Sequence, residues 1–292
     1  MHSKHFIPAR SSRPPYVVAL TQESAGWDHC SLHVVELAAG QTYRSNSGLD
    51  ELVIVPLSGS ATVAGGAESC ELSGRHSVFD GPTDFAYVGR DSSLAITSTA
   101  GGRFAVGGAR AERKLPFRRV PAANVAVELR GAGACSRQVH NFATADTFEA
   151  DSIIACEVIT PGGNWSSYPA HKHDEYTETE APLEEIYYFE FDRGPDGSDG
   201  FGYQRVYGTP GRPIDVLEEV RDGDVVLVPH GYHGPSIAAP GYHMYYLNIM
   251  AGPGPERAWR ISDDPSHAWL RDTWADMAVD PRLPLGAKEI RR

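Results

Sequence analysis

The chain is short of cysteine, of long apolar runs and of positive charge, and each shortage excludes something. Its 4 cysteines in 292 residues, Cys30, Cys70, Cys135 and Cys156, show no Cys-x-x-Cys spacing. A disulfide scaffold or a zinc ribbon needs paired spacing, so neither is expected, and a reducing cytoplasm suits the thiols best. No apolar stretch approaches the roughly 20 residues that cross a bilayer as a helix, which argues against a membrane partner. The opening Met1-His-Ser-Lys-His-Phe-Ile-Pro8 has no apolar core of a signal peptide. Lys and Arg number 26 against 38 Asp and Glu, a formal net charge of −12. Nucleic acid needs a basic face for its phosphates, and no such face is visible. A local cationic spot for a small anion is compatible with that balance.

What is plentiful points to strands. Thirty Gly and 21 Pro break the chain into short pieces, and the pieces are rich in β-branched and aromatic residues. Before residue 100, Glu51-Leu-Val-Ile-Val-Pro-Leu57, Ser60-Ala-Thr-Val63, Ser77-Val-Phe79, Phe85-Ala-Tyr-Val88 and Leu94-Ala-Ile-Thr97 alternate with turn signals. A second set runs from Asp151-Ser-Ile-Ile-Ala-Cys-Glu-Val-Ile159 through Glu185-Ile-Tyr-Tyr-Phe-Glu-Phe191 and Phe201-Gly-Tyr-Gln-Arg-Val-Tyr207 to Tyr242-His-Met-Tyr-Tyr-Leu-Asn-Ile249. The segment 72–82 resembles 220–229. We read an all-β chain with one barrel duplicated, residues 1–125 forming an N-terminal barrel and 126–292 a C-terminal barrel and tail. Residues 263–274 read as a short amphipathic helix begun by an Asp/Pro cap.

The second set carries the chemistry. In Pro169-Ala-His-Lys-His-Asp174, His171 and His173 are two apart, and on a strand such a pair shares one face. Glu185 follows after an eleven-residue gap, and His233 ends a Pro/Gly corner after Val225-Val-Leu-Val228. Three imidazoles and a carboxylate suit one divalent ion, zinc, iron, manganese or nickel, with no thiolate needed. The corner Gly223-x5-Pro229-x-Gly231-x-His233 resembles the second motif of the cupin superfamily, and His171-x-His173 with Glu185 resembles the first. Alternation turns Lys172 and Glu184 away from the ligands, Lys172 toward solvent. The run 174–180 reads as a solvated loop, His230 as a residue at the mouth or on the surface, and His243 as a barrel-wall histidine or a ligand. The N-terminal barrel has no His-x-His and is expected to be metal-free scaffold.

The longer strings resemble a family, the 5-deoxy-glucuronate isomerases of myo-inositol catabolism, which are bicupins. The likeness is densest in Ser167-Tyr-Pro-Ala-His-Lys-His-Asp174, Leu183-Glu-Glu-Ile-Tyr-Tyr188, Gly202-Tyr-Gln-Arg-Val-Tyr207, Asp222-Gly-Asp-Val-Val-Leu-Val-Pro229 and Tyr245-Tyr-Leu-Asn-Ile-Met-Ala-Gly-Pro253. It implies two tandem cupin jelly-roll barrels, His171, His173, Glu185 and His233 as metal ligands, and an aldose–ketose isomerisation of a uronate. His at 230 and at 243 departs from what the family leads us to expect. A Lewis acid stabilising an enediolate and a general base are the chemistry such a shift requires. Glu185, Tyr187 and Tyr246 are the catalytic candidates, and a direct hydride shift is the alternative to proton transfer. Arg205, Tyr203 and Asn248 are the candidates for binding the uronate, with Arg205 as the carboxylate contact. The competing readings are a 4-deoxy-L-threo-5-hexosulose-uronate ketol-isomerase, a cupin Fe(II) dioxygenase and, ranked last, a sugar-binding cupin without turnover. A small-molecule partner and, by default, a homo-oligomer complete the expectations.

Overall fold

Short runs of Val, Ile, Tyr and Phe pack well on a pleated surface, and the Gly- and Pro-rich joints between them let each strand turn back on the last. The computed structural model describes residues 2–9 and 13–286. Residues 16–120 build a nine-stranded antiparallel sheet, the first jelly-roll barrel. From Ala126 onward the chain builds the second, a six-stranded sheet facing a seven-stranded one whose edge strand, Phe6–Ile7, comes from the N-terminus. No helix among the described residues is long and apolar enough to cross a membrane.

Three apolar clusters hold this arrangement together. One fills the first barrel around Leu37, Ile54, Leu72 and Phe104, and one fills the second around Val158, Tyr187, Phe189 and Tyr246. The third lies between the barrels, where Val53, Val55, Phe85 and Tyr87 of the first meet Ile186, Tyr188, Leu247 and Ile249 of the second. The strands Ile154–Thr160 and Met244–Ala251 are therefore buried on both faces. That explains their nearly unbroken apolar sequences, since a strand with one wet face would alternate.

Polar contacts fix the two barrels against each other. Glu157, on Ile154–Thr160, is ion-paired with Arg75 of the first barrel and hydrogen-bonded by Tyr245 Oη and His140 Nδ1. Glu184 reaches the other way. Its Oε2 accepts the backbone N–H groups of His29 and Cys30 at 2.8 and 2.9 Å, and its Oε1 accepts that of Asp28 at 2.9 Å. Glu184→Ala should leave these N–H groups without acceptors and lower stability by about 1–3 kcal/mol in urea unfolding. An unchanged midpoint would show that the clamp contributes nothing.

Four details depart from the sequence expectations. Phe6–Ile7, placed in the first barrel, pairs antiparallel with Val225 and Val226 of the second. The two strands read at 51–57 and 60–63 are one, Asp50–Gly65, bent by a register shift between Pro56 and Ser58. Pro56 has no N–H to give the ladder, so the strand bulges there instead of ending. Ser77-Val-Phe79 is not a strand; the turn Val78–Asp80 is a 3₁₀ helix capped by the Ser77 side chain. The tail helix is also 3₁₀, Ala268–Asp276, and its expected first turn is instead the strand Ser262–Asp263.

Candidate metal centre

The ligand candidates come from both sheets of the second barrel. His171 lies on the two-residue strand His171–Lys172 and pairs directly with His233 of Tyr232–Ala238. His173 follows where that strand ends, and Glu185 enters from the facing sheet on Glu184–Phe191, opposite Val228 and Met250. The His233 ring lies 4.4 Å from that of His171 and 4.6 Å from that of His173, centroid to centroid. One ligating atom from each of His173, Glu185 and His233 falls within 4.8 Å of the others. His171 stands beside this tight group, against His233. All four side chains are buried.

Backbone carbonyls orient the imidazoles. Nδ1 of His173 faces Leu183 O at 2.9 Å, Nδ1 of His233 faces Gly231 O at 3.2 Å, and Nδ1 of His171 faces Pro169 O at 3.5 Å. A carbonyl accepts only, so Nδ1 carries the proton and the Nε2 lone pair is left for the interior. Glu185 Oε2 lies 2.9 Å from His173 Nε2 and 3.0 Å from His233 Nε2. Burial opposes ionisation of Glu185, but a proton held by His233 or His173 outweighs it and keeps the carboxyl well below the usual range. Glu185 in turn holds His173 up against its own burial until a metal takes the proton's place. Burial, reinforced by the neighbouring His233, pushes the His171 pKa well down. An ionised carboxylate and neutral imidazoles are the forms that bind a metal. With Nδ1 protonated, the Nε2 atoms of His173 and His233 are acceptors like Glu185 Oε2, and His233 Nε2 is buried without a donor. Buried acceptors converging in this way fit a divalent cation at the centre of the set.

A cavity of about 220 Å³ opens beside these ligands. This is smaller than the roughly 300–1,000 Å³ of sites for drug-sized molecules and suits a small metabolite. Its lining includes His171, Glu185, Tyr187, Ser167, Tyr246 and Asn248. Ser167 Oγ lies 3.2 Å from both the Tyr187 and the Tyr246 hydroxyl, and Asn248 Nδ2 donates to Ile186 O at 3.3 Å. Ser167 has a left-handed backbone, φ 48°, a cost that non-glycine residues carry mostly at functional sites. Gly234 makes that geometry possible. A Cβ there would sit 1.8 Å from Ser167 O, and its φ of +107° already disfavours a side chain. Gly234→Ala should therefore displace Ser167 and His233 together, at a cost of at least about 1–3 kcal/mol. Thermal melting with metal analysis would show it; a variant with unchanged melting and full metal content would contradict it.

The remaining expected residues lie elsewhere. Arg205 is turned to the barrel exterior, where it pairs with Asp215 and donates to Val216 O at 2.9 Å. Tyr203 beside it is 39% exposed and reaches Glu219. Gln204 and Val206 take the inward positions on that strand, both fully buried, so parity excludes Arg205 and Tyr203 from the cavity. Lys172 is buried, not solvated; Glu180 accepts from its Nζ at 2.8 and 2.9 Å. That contact pins the 174–180 loop, whose Asp174 also accepts from Gly231 N–H at 2.9 Å. His243 Nδ1 accepts from Gly162 N–H at 3.1 Å, away from the ligands. His230 is half-buried at the Pro/Gly corner, its Nε2 without a partner.

The cavity does hold arginines, though not the one the sequence singled out. The cavity lining also includes Arg130, Arg137 and Arg271, with Trp259 and Ile261. The register puts Glu185 opposite Met250, whereas Phe189, Tyr246, Val158 and Val139 form a later row, and Arg137 lies beyond Val139. Arg137, and Arg130 opposite it, thus stand toward the end of the cavity away from Glu185, while Arg271 is tied to Asp263, the ladder partner of His171.

Residues 5–270 match the model of the KduI/IolB family. A 5-deoxy-glucuronate isomerase of Geobacillus kaustophilus is 42% identical over 275 residues, spanning 93% of this chain and 96% of that protein. One from Bacillus subtilis strain 168 is 39% identical over 254 residues, covering 86% and 91%. Among solved structures, an IolB-like protein from Salmonella typhimurium LT2 superposes with a TM-score of 0.84 at 35% identity, covering 91% of this chain and 98% of that one. Oxalate decarboxylase of Bacillus subtilis, known for Mn(II) centres, superposes with a TM-score of 0.61 at 11% identity, covering 90% and 80%. At that identity the likeness concerns the two-barrel fold alone.

Proposed function

The chain belongs to the KduI/IolB family, and from that premise we propose that it is a metal-dependent isomerase converting 5-deoxy-D-glucuronate to 5-dehydro-2-deoxy-D-gluconate. The carrying observation is the buried His173, Glu185 and His233 cluster, with His171 beside it, at the wall of a cavity sized for a small sugar acid. A divalent ion held by these four residues would supply a Lewis acid for the adjacent carbonyl and hydroxyl oxygens of the substrate. The reaction moves hydrogen between C2 and C1, and the barrier is the weak acidity of the C2 proton.

The chain's own residues orient the sugar and handle its protons. Burial pushes the phenols of Tyr187 and Tyr246 up, which favours their protonated forms. In that form they would serve as hydrogen-bond donors to developing charge on a substrate oxygen, with Ser167 linking them. Burial in the barrel excludes bulk water from this end, which strengthens each of these contacts. Asn248 borders the cavity with its amide held on both sides, Nδ2 donating to Ile186 O and Oδ1 accepting from Cys156 Sγ. The four cysteines are free, which supports a cytoplasmic setting.

The test is an anaerobic assay with 5-deoxy-glucuronate and 4-deoxy-L-threo-5-hexosulose uronate side by side, with product followed by NMR. Ketose should form from the first substrate faster than from the second, without oxygen. Turnover only in the presence of oxygen would move the protein to the dioxygenases. Running the same assay in D2O should place deuterium in the product; product without deuterium would replace proton transfer by a hydride shift.

A further inference from the structure

Among the described residues, buried arginines are matched by acceptors, with one exception. Arg75 is paired with Glu157, Arg271 with Asp263, and the half-buried Arg130 with Glu128. Arg257 has no acid partner but spends its fork on three backbone carbonyls, of Ile153, Phe148 and Ala143. Arg137 is 5% exposed. Among the described residues its side chain makes one hydrogen bond, from Nη1 to Cys135 O at 3.1 Å, and no carboxylate lies within ion-pair distance. A guanidinium has several further N–H donors in a fixed fork, and those of Arg137 border the cavity.

A buried cation with neither a counter-charge nor a filled fork is costly unless something else completes it. Burial lowers its pKa to about 10, which still leaves it charged at neutral pH. Arg130 and Arg271 stand beside it in the same wall, each neutralised by its own acid, so the remote end of the cavity keeps a net positive charge. The indole of Trp274 lies against the guanidinium, 5.7 Å from ring centroid to Cζ, which holds the fork in one plane. Among the described residues no competing carboxylate reaches it.

We propose that Arg137 is the seat of the substrate carboxylate, gripping it through the open side of its fork while the aldehyde end lies against His171 and Glu185. The assignment rests on the isomerase reading for the identity of the ligand, and it names what reads the acid group of a uronate. It also gives the cavity a direction: cation at one end, metal ligands at the other, and the donors of Tyr187, Tyr246 and Asn248 between them. A neutral sugar of the same length would leave Arg137 unpaired and should bind poorly. Discrimination of this kind is strong, because the penalty falls on a charge the protein cannot pair in another way.

The experiment compares D-glucuronate with D-glucuronamide, the same sugar without the charge, by calorimetry on the metal-loaded protein. Wild type should prefer the acid by roughly tenfold or more, Arg137→Met should erase the preference, and Arg137→Lys should keep part of it. In turnover, Arg137→Met should raise KM for the uronate on the order of 100-fold with a smaller change in kcat. Without ligand, Arg137→Met should melt no lower than wild type, because the residue has no protein acid to lose. An Arg137→Met protein that keeps the preference, or one that melts far lower or fails to fold, would overturn the assignment in favour of a structural role. Failure of the isomerase reading would appear separately, as a wild type that distinguishes acid from amide yet does not turn over 5-deoxy-glucuronate.

Discussion

His233→Ala is expected to lower turnover by roughly 10³-fold or more while the chain stays folded, because the lost Lewis acid is worth several kcal/mol of transition-state stabilisation. His233 is the residue that joins the ligand set. Its ring touches both other imidazoles, and its Nε2 lies 3.0 Å from Glu185. Without it, His171 is left beside an incomplete site and Glu185 keeps one imidazole partner. Metal content by elemental analysis should fall with activity. Tyr187→Phe is the control: it removes the phenol near Ser167 and leaves the ligands, so it should retain metal and lose rate. Full metal content in His233→Ala would mean that the ion sits elsewhere.

Arg75→Met should be the most destabilising single change, by about 3–5 kcal/mol, since it strands a buried charge. Arg75 and Glu157 are both nearly inaccessible and face each other across the barrel interface. The double variant Arg75→Met/Glu157→Gln should recover part of that loss, because it removes both ions. The pair also predicts a pH dependence. Burial resists ionisation of Glu157, yet Arg75 and His140 hold its pKa down at about 2, below the ordinary value of roughly 4.3. A depressed folded-state pKa stabilises the protein fully above the ordinary value, and that contribution is lost as pH falls toward 2. Urea midpoints measured between about pH 5 and 2 should fall steeply in wild type and less in the double variant. Equal slopes would detach Glu157 from the acid sensitivity.

The clustering of His173, Glu185 and His233, with His171 beside them, was legible because its signal is local. His171 and His173 are two residues apart, although His173 lies just past the end of its short strand, and the Pro/Gly corner delivers His233 wherever the strand after it leads. The carboxylate-reading arginine was not legible, for a physical reason. Arg137–Ala143 mixes polar and apolar residues on both sides: Arg137 and Val139 face the cavity, while Gln138 and His140 point to the inter-barrel network and Phe142 joins the apolar cluster between the barrels. With polar and apolar residues on each side, it lacks the clean period-two pattern by which strands are recognised. Arg205 failed differently. Period two grouped it correctly with Tyr203 and Tyr207, but it does not say which group turns inward. Gln204 takes the inward face, where its Oε1 accepts from Ser236 Oγ while its Nε2 stays buried without a partner. Lys172 was turned away from the ligands as expected, yet the opposite side was closed by Glu180, from a loop read as solvated.

The central claim is that isomerisation depends on an ion held by His171, His173, Glu185 and His233. The most direct measurement strips the protein with chelator, reloads it with one divalent metal at a time, and follows 5-deoxy-glucuronate turnover against metal bound per chain. Activity should vanish with the metal and return in proportion to it, saturating near one ion per chain. Turnover that persists after complete metal removal would contradict the account.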